Sequence, residues 1–131
     1  MHTRRSPRNQ ERLWRALGGV RQATPDKLPV SKIKPVFDWQ LNRYVDPTDA
    51  SYLERLGTTS ASRYAPVVAR QASEASVPLP LPDEDVATLL TNTIAGLQKE
   101  KKLYWDKTPA TRQQVFIDAW VAEMTRQGIR G

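Results

Sequence analysis

The stretch LQKEKKLYWDKTP, Leu97 to Pro109, decides the fold because it separates two segments with helical periodicity. In the segment that precedes it, apolar residues recur at three- and four-residue steps: Val86, Leu89, Leu90, Ile94 and Leu97. In the segment that follows, a second apolar stripe consists of Val115, Phe116, Ala119, Trp120 and Met124. We therefore predict a mostly α protein with a helical hairpin, residues 83–105 and 109–127.

The residues between the two stripes suit a turn. Lysines 99, 101 and 102 fall near the carbonyl end of the first helix, where cations are favoured, and alone they are weak evidence for a binding surface. We expect Trp105 to anchor the turn, Thr108 to cap the second helix and Pro109 to be its first residue. The acidic triplet at residues 83–85 fits the first turn of a helix, with divalent-cation binding as the alternative.

The N-terminal half is predicted to be extended and proline-rich, with two short helices and no sheet of consequence. Residues 1–43 form a basic extended arm with a short amphipathic helix around Trp14. Residues 44–57 form the second short helix, which Asp46 caps and Gly57 ends. Residues 58–82 are interpreted as a Pro/Ala/Ser linker whose end, VPLPLP, is a stiff spacer or, alternatively, a ligand for an aromatic groove.

Positive charge is concentrated near the beginning of the 131-residue chain. Residues 1–43 carry a net charge of +7 and residues 44–131 a net charge of −1. A basic arm favours contact with RNA, anionic lipid or an acidic protein surface. The first twenty residues are also typical of a mitochondrial import segment, because they are rich in arginine and poor in acids.

The composition argues against an enzyme. There is no cysteine, and the one histidine is His2. Thiolate chemistry is thereby excluded, and acid–base catalysis or metal binding by an interior histidine is excluded as well. We predict no catalytic, cofactor-binding or metal-binding residues. No apolar run approaches the roughly eighteen residues of a membrane span, so any membrane contact is expected to be peripheral.

Aromatic residues are the best candidates for binding other proteins, since large amphipathic side chains anchor interfaces. The predicted partner-binding residues are Trp14, Phe37, Trp39, Tyr52, Trp105, Phe116 and Trp120. Stacking of Trp14, Trp39 and Tyr44 on single-stranded RNA is the alternative, because basic residues are interleaved with them.

Several motifs between residues 80 and 124 occur together: LPLPDEDVATLL, the spacing from Leu97 to Trp105, the turn WDKTP, Phe116 and the end WVAEM. In these motifs the chain resembles the matrix-side region of the cytochrome c oxidase subunit IV family. Two features depart from the family pattern. The second helix is shorter by about one turn, or roughly 3.6 residues. The family's membrane helix does not follow before Gly131. The resemblance implies a shortened or split accessory subunit, with copper and haem chemistry on other subunits.

The leading hypothesis is therefore a non-catalytic accessory subunit of a mitochondrial respiratory-chain complex, most specifically cytochrome c oxidase. It would bind other protein subunits on the matrix side of the inner membrane. The alternative is a mitochondrial ribosomal or other basic RNA-associated assembly protein that contacts RNA through residues 1–43. A viral or phage assembly protein could have a similarly extended, proline-rich N-terminal half, but nothing else in the sequence favours this class of protein.

Overall fold

The computed structural model describes residues 33–131 and confirms the mostly α fold class. The elements are strands β1 (Val36–Asp38) and β2 (Arg43–Val45), helices α1 (Ala50–Glu74), α2 (Asp83–Lys99) and α3 (Ala110–Arg126), and a 3₁₀ turn at Trp105–Lys107. Within this part of the chain, β1 and β2 form the only sheet. The predicted arm helix around residue 14 lies outside the described residues.

The two strands form a short antiparallel hairpin in which Phe37 is paired with Tyr44. Side chains alternate between the two faces of a strand, and here Val36 and Asp38 are buried against the helices. Phe37 therefore lies on the opposite face. The end of the predicted extended arm, residues 1–43, is therefore not a free segment, because Val36–Asp38 pairs with Arg43–Val45.

Helix α1 is much longer than the sequence predicted. Asp49, not Asp46, is its N-cap, and the Asp49 carboxylate accepts a hydrogen bond from the Tyr52 N–H at 3.1 Å. The helix passes through Gly57 and Pro66 to Glu74. The predicted short helix at 44–57 and the linker character of residues 58–74 are therefore wrong.

Packing explains the length of α1. Its buried face is made mostly of small residues at three- and four-residue steps: Gly57, Ala61, Ala65, Val68 and Ala72. A composition rich in small residues is typical of a linker, but at this spacing it allows two helices to approach closely. Pro66 is exposed on the opposite side and removes only one backbone donor from the helix.

The core lies between all three helices. α3 makes its most extensive backbone contacts with α1. α2 contributes buried Val86, Leu90 and Ile94. Both helices of the predicted hairpin exist, over residues 83–99 and 110–126. The main packing partner of the second one is nevertheless α1, which the sequence did not predict.

The connection between α2 and α3 is anchored as expected by Trp105, which is buried and contacts Phe116 edge-on at 5.6 Å between ring centroids. The buried Gln113 side chain donates a hydrogen bond to the Trp105 carbonyl at 2.9 Å. Thr108 does not cap α3 with its side chain, because its hydroxyl donates instead to the Tyr104 carbonyl at 2.6 Å. Pro109 occupies the N-cap position.

Candidate functional site

Three aromatic side chains share the outer face of the β1–β2 hairpin, and we call Phe37, Trp39 and Tyr44 the aromatic face. Phe37 lies at its centre, with ring centroids 4.6 Å from Trp39 and 5.2 Å from Tyr44, both edge-on. Trp39 is 79% exposed and Tyr44 is 69% exposed. Edge-to-face contacts hold the rings together, and Phe37 is partly buried, yet most of the surface of Trp39 and Tyr44 remains in water.

A cleft of about 420 Å³ lies between the hairpin and α1. Its apolar lining includes Phe37, Trp39, Tyr52, Leu56, Tyr64 and Leu97. Its charged lining includes Asp38, Arg55, Arg63, Glu100 and Lys102. The aromatic face and the cleft are therefore continuous through Phe37 and Trp39.

Tyr52 forms part of the cleft wall and ties two parts of the chain together. Its hydroxyl donates a hydrogen bond to the Lys102 carbonyl at 2.6 Å, which joins α1 to the segment after α2. Burial raises the pKa of Tyr52 to about 12, with a smaller contribution from the negative charge of Asp38. The phenol therefore remains protonated near neutral pH and acts as a structural donor.

An ion pair fixes the hairpin to α1. The Asp38 carboxylate accepts a charged hydrogen bond from Arg55 and backbone N–H bonds from Gln40 at 2.9 Å and Leu41 at 3.3 Å. Burial raises the pKa of Asp38, but the bonds from Arg55 and the two N–H groups outweigh burial and hold it below its usual value. Asp38 is therefore ionised near neutral pH and orients the loop that carries Trp39.

The rim of the cleft has an excess of positive charge. Glu100 forms an exposed ion pair with Lys102 at 3.2 Å, and Asp38 is already paired with Arg55. Arg63 also lines the cleft and is exposed. Between residues 33 and 131, no carboxylate forms an ion pair with it.

The structure separates the predicted partner-binding residues into two groups. Phe37 and Trp39 lie on the aromatic face, next to one another. Tyr52 is buried but lines the adjoining cleft. Three others are buried in the chain's own core, so the prediction that they contact a partner is wrong: Trp105, Phe116 and Trp120. Trp14 lies outside the described residues. Sequence periodicity marks large apolar residues but cannot by itself say whether they face the core or a partner.

Tyr44, Arg55 and Arg63 complete the site, and sequence reasoning did not assign them to a protein-binding surface. A signal for the hairpin was present: FDWQL alternates in polarity from Phe37 to Leu41, and RYV follows shortly afterwards. Asn42 in the loop before RYV has a φ of 54°, a conformation that asparagine tolerates better than most residues. No comparable signal indicated that α1 would extend far enough to place Arg63 beside the hairpin.

In the described part of the chain, no group of three or more histidine, cysteine or carboxylate side chains is arranged to hold a metal ion. None of the helices between residues 33 and 131 is long and apolar enough to cross a bilayer. Comparisons with protein-family models, with curated proteins and with solved structures gave no match. The aromatic face, the cleft and their charges are therefore the features of the described residues that point to a function.

Proposed function

We propose that this protein is a non-catalytic accessory subunit that binds other proteins of a larger assembly through the aromatic face and the adjoining cleft. One observation carries the proposal: Trp39 and Tyr44 remain mostly exposed although both rings pack around Phe37. Large aromatic side chains of this kind are the residues on which protein interfaces most often depend.

The hairpin is suited to binding because its geometry is already fixed. The pairing of Phe37 with Tyr44 and the contact of Asp38 with Arg55 restrain the loop before any partner arrives. Ordering of a loop upon association costs free energy, so a preformed surface retains more of its contact energy as affinity. The arrangement is therefore typical of a preformed docking surface and not of a segment that folds only when it binds its partner.

For the assembly, we propose a mitochondrial respiratory-chain complex, most specifically cytochrome c oxidase, with the chain bound on the matrix side of the inner membrane. The resemblance of residues 80–124 to the subunit IV family supports this choice. Trp105 and Phe116, which carry part of that resemblance, are buried in this chain. On this proposal they maintain the helical scaffold, while the hairpin provides the contact surface.

The RNA-associated alternative differs from the respiratory-chain proposal in the part of the chain that would make the contact. Residues 33–131 carry twelve basic and twelve acidic side chains, so the net charge of +6 belongs to residues 1–32. RNA binding would therefore depend on the arm. For a single strand, the association constant would fall by about 0.7 log units per phosphate contact for each tenfold rise in salt concentration. Tight, salt-sensitive RNA binding that disappears on deletion of residues 1–32, which leaves the β1–β2 hairpin in place, would contradict the respiratory-chain proposal.

The direct test is purification of the tagged full chain from mitochondria of the organism that encodes it, under mild detergent. We expect a membrane complex to co-purify whose absorption spectrum shows the haem bands of cytochrome c oxidase. Recovery of ribosomal RNA and ribosomal proteins in place of haem would favour the alternative.

A further inference from the structure

We infer that the cleft binds an extended segment of a partner protein in which an apolar side chain is flanked by carboxylates. The inference rests on the proposed function and adds to it the chemistry of the partner. It joins three features of one surface: the apolar interior of the cleft, the positive charge at its rim and the aromatic face beside it.

The interior of the cleft can accept apolar side chains. Leu56, Tyr64 and Leu97 form its apolar wall together with the ring of Phe37. Its volume of about 420 Å³ falls within the range of roughly 300–1,000 Å³ that is typical of ligand pockets. Burial of one large apolar side chain of the partner there would remove water from that side chain and from the cleft wall, which favours binding.

The rim selects for negative charge. Asp38 is satisfied by Arg55 and by two backbone N–H groups, and Glu100 is paired with Lys102. Arg63 is the remaining charged group of the lining, and no carboxylate of the described residues pairs with it. A partner carboxylate next to the apolar anchor would complement Arg63, because guanidinium groups bind carboxylates with two parallel hydrogen bonds.

The aromatic face indicates a chain segment rather than a small molecule. Tyr44 does not line the cleft, although its ring lies 5.2 Å from that of Phe37. A ligand confined to the cleft would leave Tyr44 in water. An extended peptide that enters the cleft and continues across Phe37 would cover both surfaces.

The test is selection of a random-peptide display library against the full chain at low ionic strength. We expect enriched peptides to share an aromatic or large aliphatic residue next to aspartate or glutamate. Synthetic copies of these peptides should bind more weakly as salt is added, because exposed charges are screened. An empty selection, enriched peptides without carboxylates, or more effective competition by single-stranded RNA than by unlabelled peptide would overturn the inference.

Charge variants locate the carboxylate contact. Arg63→Glu should weaken binding of the enriched peptides by about tenfold, and Arg63→Lys by about threefold or less, since the latter keeps the charge but loses the paired geometry. Arg70→Glu is the matched control because Arg70 is exposed on the same helix but does not line the cleft. Equal binding by the Arg63→Glu and Arg70→Glu proteins would overturn the inference. The proposed function would still stand if the tagged chain continued to co-purify with its haem complex.

Discussion

Gly57 of α1 lies directly against the backbone of Phe116 in α3. A Cβ atom at position 57 would be 2.6 Å from the Phe116 carbonyl oxygen and 3.2 Å from the Trp120 nitrogen. Because these are backbone atoms, they cannot move aside as a flexible side chain would. The absence of a side chain at Gly57 therefore sets how closely the two helices approach.

The first prediction concerns this contact. Gly57→Ala should lower the free energy of unfolding by about 1–3 kcal/mol through overpacking, although alanine is the better helix former. Gly96→Ala is the control, because a Cβ there meets nothing within 4 Å, and it should raise the free energy of unfolding by about 0.5–1 kcal/mol. Urea denaturation measures both. Equal stabilisation by the two substitutions would contradict the close packing of α1 and α3.

The second prediction concerns the end of α2. Lys101 has a φ of 60°, and its N–H and that of Lys102 donate to the carbonyls of Gln98 and Leu97 at 3.0 and 2.9 Å. This is the left-handed helix end in which glycine is favoured. Lys101→Gly should therefore raise the free energy of unfolding by about 0.5–1 kcal/mol.

Lys99→Gly is the control for this substitution. Lys99 is the last residue of α2, so glycine there should lower the free energy of unfolding by up to about 1 kcal/mol. Thermal unfolding followed by circular dichroism distinguishes the two proteins. A lower melting temperature for the Lys101→Gly protein than for the wild type would contradict the assigned helix end.

The third prediction compares Trp39 and Trp105, both predicted from the sequence to bind a partner although only Trp105 is buried. Trp105→Ala should cost about 3–5 kcal/mol of stability, because Trp105 is only 7% exposed and packs on Phe116. Trp39→Ala should change stability by no more than about 0.5 kcal/mol, because Trp39 lies on the surface. Chemical denaturation of both variants checks this. A large loss of stability in the Trp39→Ala protein would mean that Trp39 belongs to the core.

The fourth prediction concerns pH. The pKa of Asp38 is lower in the folded protein than in the unfolded chain, despite burial, because Arg55 and two N–H groups bond to the carboxylate. Its contribution is therefore complete above the ordinary aspartate pKa and is lost as the pH falls through the lower, folded-state value. Asp38→Asn should cost about 1–3 kcal/mol at neutral pH and progressively less under acid conditions.

Exposed Asp118 provides the control for the pH experiment. The stability of an Asp118→Asn protein should follow the wild type across the same pH series. Guanidinium denaturation at each pH gives the three curves. A constant difference between wild type and the Asp38→Asn protein down to strongly acidic pH would contradict the role of the Asp38 carboxylate.

The sequence was sufficient to predict the helices whose apolar periodicity is strong, α2 and α3. Helix α3 (Ala110–Arg126) lies within one residue of its predicted bounds, 109–127, whereas α2 begins at Asp83 as predicted but ends at Lys99 rather than at residue 105. The sequence was misleading for α1, because Gly57 was interpreted as a helix end when it is a packing contact. The helix instead ends at Glu74, and Ser76 just beyond it has a φ of 57°, so the sequence contains no glycine to mark this end.

The candidate site was only partly predictable for a related reason. Phe37 and Trp39 are close in sequence, and their aromatic character was enough to select them. Arg63 reaches the same surface only because α1 continues beyond Gly57 and places it beside the hairpin. Contacts that depend on the length of a helix and on the packing of distant elements cannot be inferred from local residue patterns.

The most direct measurement compares three tagged chains purified from mitochondria: wild type, the double variant Trp39→Ala/Tyr44→Ala, and the control Val77→Ala/Leu79→Ala. The control removes two exposed apolar side chains outside the aromatic face and the cleft. We predict that the wild type and the control recover equal amounts of a haem-containing complex, and that the Trp39→Ala/Tyr44→Ala protein recovers almost none while its melting temperature is unchanged. Recovery of the same complex by all three chains, or of no haem by the wild type, would contradict the proposed docking of this chain through the aromatic face.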